Sequence, residues 1–355
     1  MSDSDYYYLR SIKNILELFF FIALIVIMYL FRSIFIPLFI ALFLAMLIQP
    51  ILAWFEKKRV PSFISMPLIF TIFGILMFLT TLYMTSTLNR ITTDWNVLGN
   101  EIEMQLVSYV DKLETVTDPK LAQKALASII QALVETNWPL FLKKNFENAV
   151  GNFAFGLFLT ILFFIGFVSG IQRYENYLNY VSGTKKNKGN KLLVTFLKVK
   201  SSIVTYIKVK TLMSIGTGLT FAGICYVFNI DYALFWGFNA FAMHYIPTIG
   251  VLLAIVPPLL ISITVYDNLQ MILLLFLLFN VAHIFWANFI EPMFLGKQLK
   301  LNFVTVIFAL VFWGTLFGPI GLVFSVPFTV LVRTILIQNP DSLILAKMMG
   351  KGGIE

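Results

Sequence analysis

The sequence predicts an all-α, polytopic integral membrane protein. Uncharged, mostly apolar runs cover residues 33–55, 60–89, 148–172, 211–230, 232–266, 268–290 and 301–332. A helix needs about 20 residues to cross a hydrocarbon core of about 30 Å, and every run is long enough. The composition agrees: of 355 residues, 59% are hydrophobic and only 12% charged, which leaves a soluble fold too little polar surface. The third observation is where the positive charge falls. Residues 173–210 hold Arg173, Lys185, Lys186, Lys188, Lys191, Lys198, Lys200, Lys208 and Lys210 against one acid, Glu175. A basic stretch between two apolar runs marks a cytoplasmic loop. Its position between spans argues against a nucleic-acid partner.

Residues 1–14 are polar and the run 15–31 has no small-residue cleavage site after it, so this run reads as a first membrane helix. Cys225 is the single cysteine, so no intrachain disulfide forms, and its plainest role is that of a small buried hydrophobe.

Charge then sets a topology. With 173–210 in the cytoplasm, 148–172 starts outside and 90–147 is external. The run 60–89 starts inside, beside Lys57, Lys58 and Arg59. Continuing in both directions gives eight spans with both termini cytoplasmic. One connection strains this scheme: 291–300 falls outside and takes Lys297 and Lys300 with it. The chain thus divides into spans 1–3 within 1–89, an extramembrane segment 90–147, and spans 4–8 within 148–355.

The segment 90–147 is polar with apolar residues at helical spacing. Ile102, Leu106, Tyr109, Val110 and Leu113 follow one face, and Leu121, Ala125, Leu126, Ile129, Ile130 and Leu133 another. Asp118 and Pro119 supply a cap and a first-turn proline for the second helix. Surface packing, contact with a neighbouring subunit and a cap over a pore are all open to such helices. Residues 191–210 alternate lysine with apolar residues, as in a helix lying on anionic lipid with its lysines snorkelling.

The chemistry is expected in the C-terminal half, where two long runs are interrupted. Residues 232–266 contain Pro247, Gly250, Pro257 and Pro258, and residues 301–332 contain Gly314, Gly318, Pro319, Gly321 and Pro327. Proline removes a backbone donor and clashes with the preceding turn. Freed carbonyls in lipid need protein or a wet cavity, so broken spans tend to line a pathway. The breaks share a pattern: L-F-W-G then P-T-I-G in the first, V-F-W-G then P-I-G in the second. Chance likeness between segments of narrow composition is one account. The other is the paired interrupted arrangement of secondary transporters.

Between the breaks lies N-F-I-E-P, with Asn288, Glu291 and Pro292. Glu291 is the only acid between Asp267 and the C-terminal tail. An acid at the end of an apolar run is a functional candidate, and an interfacial helix-end carboxylate is the plainer alternative. Pro292 is expected to stop or kink the helix and to leave carbonyls for a cation. His244 and His283 are the only histidines; each is either a proton relay or a packing residue. Asn239 and Asn280 are expected to bond between helices. No Walker-type phosphate loop, metal-ligand cluster or Ser/His/Asp arrangement is recognisable, so no enzyme activity, cofactor or metal is expected. The coupling ion expected is H+ or Na+.

The order P-x-I-G…P, N-x-I-E-P…G, L-x-L and F-W-G-x-x-x-G-P-x-G…P, from Pro247 to Pro327, resembles the autoinducer-2 exporter family of bacterial membrane proteins. The resemblance covers nearly the whole chain. It implies an eight-span permease of the cell (inner) membrane, named for export of a quorum-sensing furanosyl signal. It also implies a ring-like homo-oligomer, with a pentamer as the size it suggests, and some members look like sodium(lithium)/proton antiporters. This chain carries His244 and Tyr245 just before Pro247, where the family pattern often has Asn or Phe. Its motifs contain Pro247, Gly250, Asn288, Glu291, Pro292, Gly318, Pro319 and Gly321, and these, with His244 from the reading of the residues themselves, are the candidate transport residues. The expected function is gradient-coupled export of a small polar or amphiphilic molecule. Cation/proton antiport is the alternative within transport, and a non-transporting scaffold or receptor the alternative outside it.

Overall fold

The computed structural model describes residues 3–113, 139–140, 143–144, 146–148, 156–168, 170, 188–295, 301–337 and 342–350. The second amphipathic helix expected over 121–133 and the start of the basic stretch, 173–187, lie outside the described residues. Among those described, every regular element is helical apart from one isolated bridge between Leu301 and Gly350. The protein is an all-α polytopic membrane protein.

The chain divides into two compact units. One comprises residues 1–46, 155–200 and 300–355; the other comprises 47–154 and 201–299. In the first, α1 (Asp3–Leu30) meets α2 (Arg32–Lys57) at a bend of 89°. Phe39 and Phe43 of α2 pack on Phe328 and Phe324, with ring centroids 4.5 and 4.1 Å apart. These partners belong to α11 (Pro319–Leu336), which follows α10 (Phe303–Phe317). The short apolar helix α4 (Gly156–Val168) lies in the same unit.

The second unit contains α3 (Ser62–Leu113), a single helix of 52 residues. It does not break at Arg90. The apolar span runs straight on into the expected amphipathic face, where Ile102 and Tyr109 are buried with Ile263 and Ile272. Between Pro67 and Trp95 its apolar side chains mostly face outward, as Phe78 and Leu79 do. In a bilayer that is the lipid-facing surface. The remaining elements of this unit are α5 (Lys188–Val227), α6 (Ala233–Met243), α7 (Ile249–Val265), α8 (Leu269–Ile284), a π-helical turn (Phe285–Ile290) and α9 (Glu291–Leu295). Only the first residues of α5 belong to the other unit.

Both interrupted runs break, at Pro247–Thr248 and at Gly318–Pro319, whereas Pro257, Pro258, Gly314 and Pro327 stay inside helices, and neither run continues across. Each folds back as a helical hairpin. In the first, Asn239 of α6 donates its side-chain amide to the carbonyl of Leu253 on α7 (3.0 Å). Ile230, Tyr232 and Ala233 at its start share one core with Leu259, Ile261 and Tyr266 at its end. The Tyr266 hydroxyl donates to the Phe228 carbonyl at 2.8 Å, so the chain leaves where it entered. In the second, Trp313 of α10 donates to the Thr329 hydroxyl on α11 at 3.1 Å. Its ends meet the C-terminal helix α12 (Leu343–Met348): Asn302 N–H donates to Met349 O, and Arg333 Nε to Ala346 O.

This corrects the topology expected from charge. With the first hairpin returning to the Val227 end of α5, α8 runs antiparallel to α5. Phe221 stacks near Phe279, Thr220 meets Trp286 and Lys210 meets Glu291. Glu291 therefore lies at the basic end of α5, not at the opposite end. Leu301 and Arg333 likewise lie at one end of their hairpin, not at two. Lys297 and Lys300 themselves lie outside the described residues.

Candidate functional site

A buried charged group forms where α5, the turn of the first hairpin and the end of the α8 helix meet. Lys210 is the last lysine of the basic stretch. Its Nζ donates to both carboxylate oxygens of Glu291, at 3.1 and 3.0 Å. The two side chains are 8% and 13% exposed. His244, the residue after α6, places Nε2 3.3 Å from Glu291 Oε2, and its side chain is 1% exposed. The approach lacks the alignment of a hydrogen bond.

The other imidazole nitrogen, Nδ1, lies 3.3 Å from Thr217 Oγ1. The Thr217 hydroxyl donates to the Met213 carbonyl at 2.9 Å. With its one proton committed there, Thr217 accepts from Nδ1–H. A neutral ring in that tautomer turns a bare Nε2 toward a carboxylate, which is unfavourable. A second proton, on Nε2, converts the same approach into an attraction. The tautomer is assigned from these bonds.

Local structure explains why these groups converge. On α5, Tyr206, Lys210, Met213, Thr217 and Thr220 recur at three- and four-residue spacing and form one stripe. On the facing helical segment, Trp286 donates to Thr220 Oγ1 at 3.0 Å and Glu291 meets Lys210. Residues five apart point about 140° apart on an α-helix. The π-helical turn, closed by Glu291 N–H to Trp286 O, winds more slowly and brings both onto the α5 side. Gly216 leaves room for the Trp286 ring; a Cβ there would lie 2.5 Å from it.

The hairpin turn that carries His244 is tight and strained. Thr248 adopts φ 64°, ψ −54°, and Ile249 N–H bonds back to Pro247 O at 2.6 Å, a γ-turn. A β-branched residue seldom takes positive φ, and such strain is often stored at functional sites. Gly250 closes the turn: a Cβ there would lie 1.9 Å from the Met243 carbonyl oxygen. Around the charged group, Tyr206 is buried one turn from Lys210, Tyr245 donates to Thr211 Oγ1 at 2.8 Å, and the His283 ring lies 5.8 Å from His244.

Of the residues the sequence singled out, Glu291, His244, Pro247 and Gly250 come together here. Asn288 and Pro292 sit exposed on the same helix end. The chain does not stop at Pro292; it stays helical to Leu295. Gly318, Pro319 and Gly321 form the turn of the other hairpin, in the other unit. Asn239 bonds between helices as expected, whereas Asn280 donates to Phe276 O of its own helix. Lys210, Thr217 and the π turn escaped the sequence reading. The available signal was the stripe from Tyr206 to Thr220, whose polar members repeat toward one face.

A sequence profile of the AI-2E family transporters matches residues 18–340. The chain belongs to the AI-2E transporter family. Among similar proteins, the AI-2 transport protein TqsA of Escherichia coli (strain K12) is 26% identical over 85% of this chain and 85% of its own length. A putative transport protein of Haemophilus influenzae is 22% identical over 85% of this chain and 86% of its own. The putative transport protein YhhT of E. coli K12 is 31% identical over 41% of this chain and 42% of its own. The family supports a membrane transporter, and the Lys210–Glu291–His244 group gives this family member a charged centre inside its helices.

Proposed function

We propose that this chain is a gradient-coupled secondary transporter of the bacterial inner membrane, exporting a small polar or amphiphilic molecule. An autoinducer-2-like signal is the first substrate to test, because a relative is named for AI-2 transport. The observation that carries this reading is the buried Lys210–Glu291–His244 group. An isolated scaffold has no need to desolvate an ammonium, a carboxylate and an imidazole together, since buried charges are costly and tend to mark transport pathways. Glu291 is the coupling carboxylate and His244 a proton carrier on the turn. Pro247 and Gly250 shape that turn, Asn288 and Pro292 flank the carboxylate, and Gly318, Pro319 and Gly321 shape a second turn that lines the path. Both termini are cytoplasmic, the basic stretch rests on anionic lipid, and the protein works as a homo-oligomer, a pentameric ring being the size to test.

Sodium(lithium)/proton antiport is the second reading, favoured because Glu291 already holds a monovalent cation, the Lys210 ammonium. Proteoliposomes carrying wild type or Glu291→Gln, loaded with each candidate and energised with a proton or sodium gradient, test both. Coupled transport by wild type and its loss in Glu291→Gln are expected. Wild-type rates and pH dependence in Glu291→Gln would remove the coupling role.

A further inference from the structure

We infer that the Lys210 ammonium occupies the seat of a small monovalent cation on Glu291, so that binding of that cation requires Lys210 to let go. The inference rests on the reading of Glu291 as the coupling carboxylate and adds the charge that competes for it. Lys210 Nζ is shared almost evenly between the two carboxylate oxygens, at 3.1 and 3.0 Å. That is where a single small cation bridging both oxygens would sit. With the lysine 8% and the carboxylate 13% exposed, little water is at hand to satisfy either charge alone. The carboxylate therefore has one strong partner at a time.

Charge balance makes the step an exchange. One monovalent cation arriving on Glu291 replaces one ammonium, and the ammonium swings away on its flexible stem. A proton arriving on the carboxylate has the same effect, because it removes the charge that holds Lys210. The titratable and charged groups facing Glu291 among the described residues are Tyr206 and Lys210 from α5, His244 from the hairpin turn and His283 from α8, with Tyr245 beside Tyr206. Apart from Lys210, the only candidate cation in this set that approaches the carboxylate is His244, through Nε2. In the neutral tautomer assigned above that nitrogen carries no proton, so within this set Lys210 is the carboxylate's cationic partner.

The test reads the lysine directly in the full-length wild-type protein. Brief acylation with acetic anhydride, followed by mass spectrometry, gives the labelling rate of Lys210 relative to exposed Lys208. The rate is measured in sodium, lithium and choline chloride at equal ionic strength, and across pH in choline. The inference expects a severalfold, saturable rise at Lys210 in sodium or lithium over choline, or a rise on acidification in choline if the cation is the proton. Glu291→Gln should label fast in every salt. Equal Lys210 rates in all salts at all pH values overturn the inference, as does a sodium response that survives in Glu291→Gln. Such a result with coupled transport intact leaves the transport reading standing. Normal transport by Glu291→Gln removes that reading whatever the labelling shows.

Discussion

At the turn of the α6–α7 hairpin the last glycine of P-T-I-G, Gly250, lies against the Met243 carbonyl; at the turn of the α10–α11 hairpin the last glycine of P-I-G, Gly321, lies against the Trp313 carbonyl. A Cβ would come within 1.9 Å of the one oxygen and 1.8 Å of the other. The backbone device is the same, so the likeness of the two motifs reflects a shared requirement and not only narrow composition. The side chains around it differ. The first turn carries His244 beside Lys210 and Glu291. The second packs among Phe39, Trp313, Phe317 and Phe328, with the Trp313–Thr329 bond as its polar contact. One hairpin is equipped for charge and the other for packing.

The sharpest way to separate them is to remove a charge. Lys210→Met leaves Glu291 buried and unpaired, and should cost about 3–5 kcal/mol, whereas Lys210→Met with Glu291→Gln should recover much of it. Thermal unfolding in detergent measures both. If the single substitution costs no more than Trp313→Phe, expected at about 1 kcal/mol for one lost hydrogen bond, the contrast fails.

What the hairpins share is tested by Gly250→Ala and Gly321→Ala. Each forces a methyl into a backbone carbonyl, and each should cost about 3 kcal/mol or prevent folding. Markedly unequal losses would show that the turns are not built alike. The turns also differ in which residue takes positive φ: Thr248 in the first, Gly318 in the second. Gly318 adopts φ 64°, ψ −143°, a region only glycine enters easily, so Gly318→Ala should destabilise by about 1–3 kcal/mol. Thr248→Gly should relieve strain, gaining about 1 kcal/mol or breaking even against the added chain entropy. If the strain serves transport, that gain should come with a slower rate in proteoliposomes.

The smallest effect concerns an attachment at the end of the first hairpin. The Tyr109 hydroxyl of α3 donates to Tyr266 O at 2.6 Å, and Gln105 donates to Asp267 at 2.8 Å. Burial, and after it the charge of Asp267, raise the Tyr109 phenol above its ordinary value. A raised folded-state value gives stability that is present below the free-tyrosine pKa of about 10 and is lost as pH rises past it. Tyr109→Phe should cost about 1 kcal/mol at neutral pH and flatten the alkaline loss in an unfolding series.

The helices and their breaks were legible because apolar length, proline and glycine act on the local backbone. Pro247–Gly250 and Pro319–Gly321 mark both turns, and Glu291 stands out as the lone acid of its region. The fold-back was not legible. A proline shows that a helix is interrupted, but the direction taken afterwards depends on contacts such as Asn239 with Leu253 and Trp313 with Thr329. Lys210 was hidden for a related reason. The positive-inside argument weighs a stretch by its total charge, and a lysine that points inward from its last turn weighs the same as one in water. The face Glu291 presents depends on a π turn, which leaves no periodic signal in six residues.

Helix α3 has a mechanical consequence. From Trp95, where its apolar stretch ends, to Leu113 it extends about 27 Å further at 1.5 Å per residue, with no break in the helix. It is a stiff lever on a pivot in the bilayer, and a 10° tilt swings its far tip by about 5 Å. Gln105 and Tyr109 grip Asp267 and Tyr266 partway along that arm. A force that displaces the tip must therefore drag the base of the charged hairpin with it or break two hydrogen bonds.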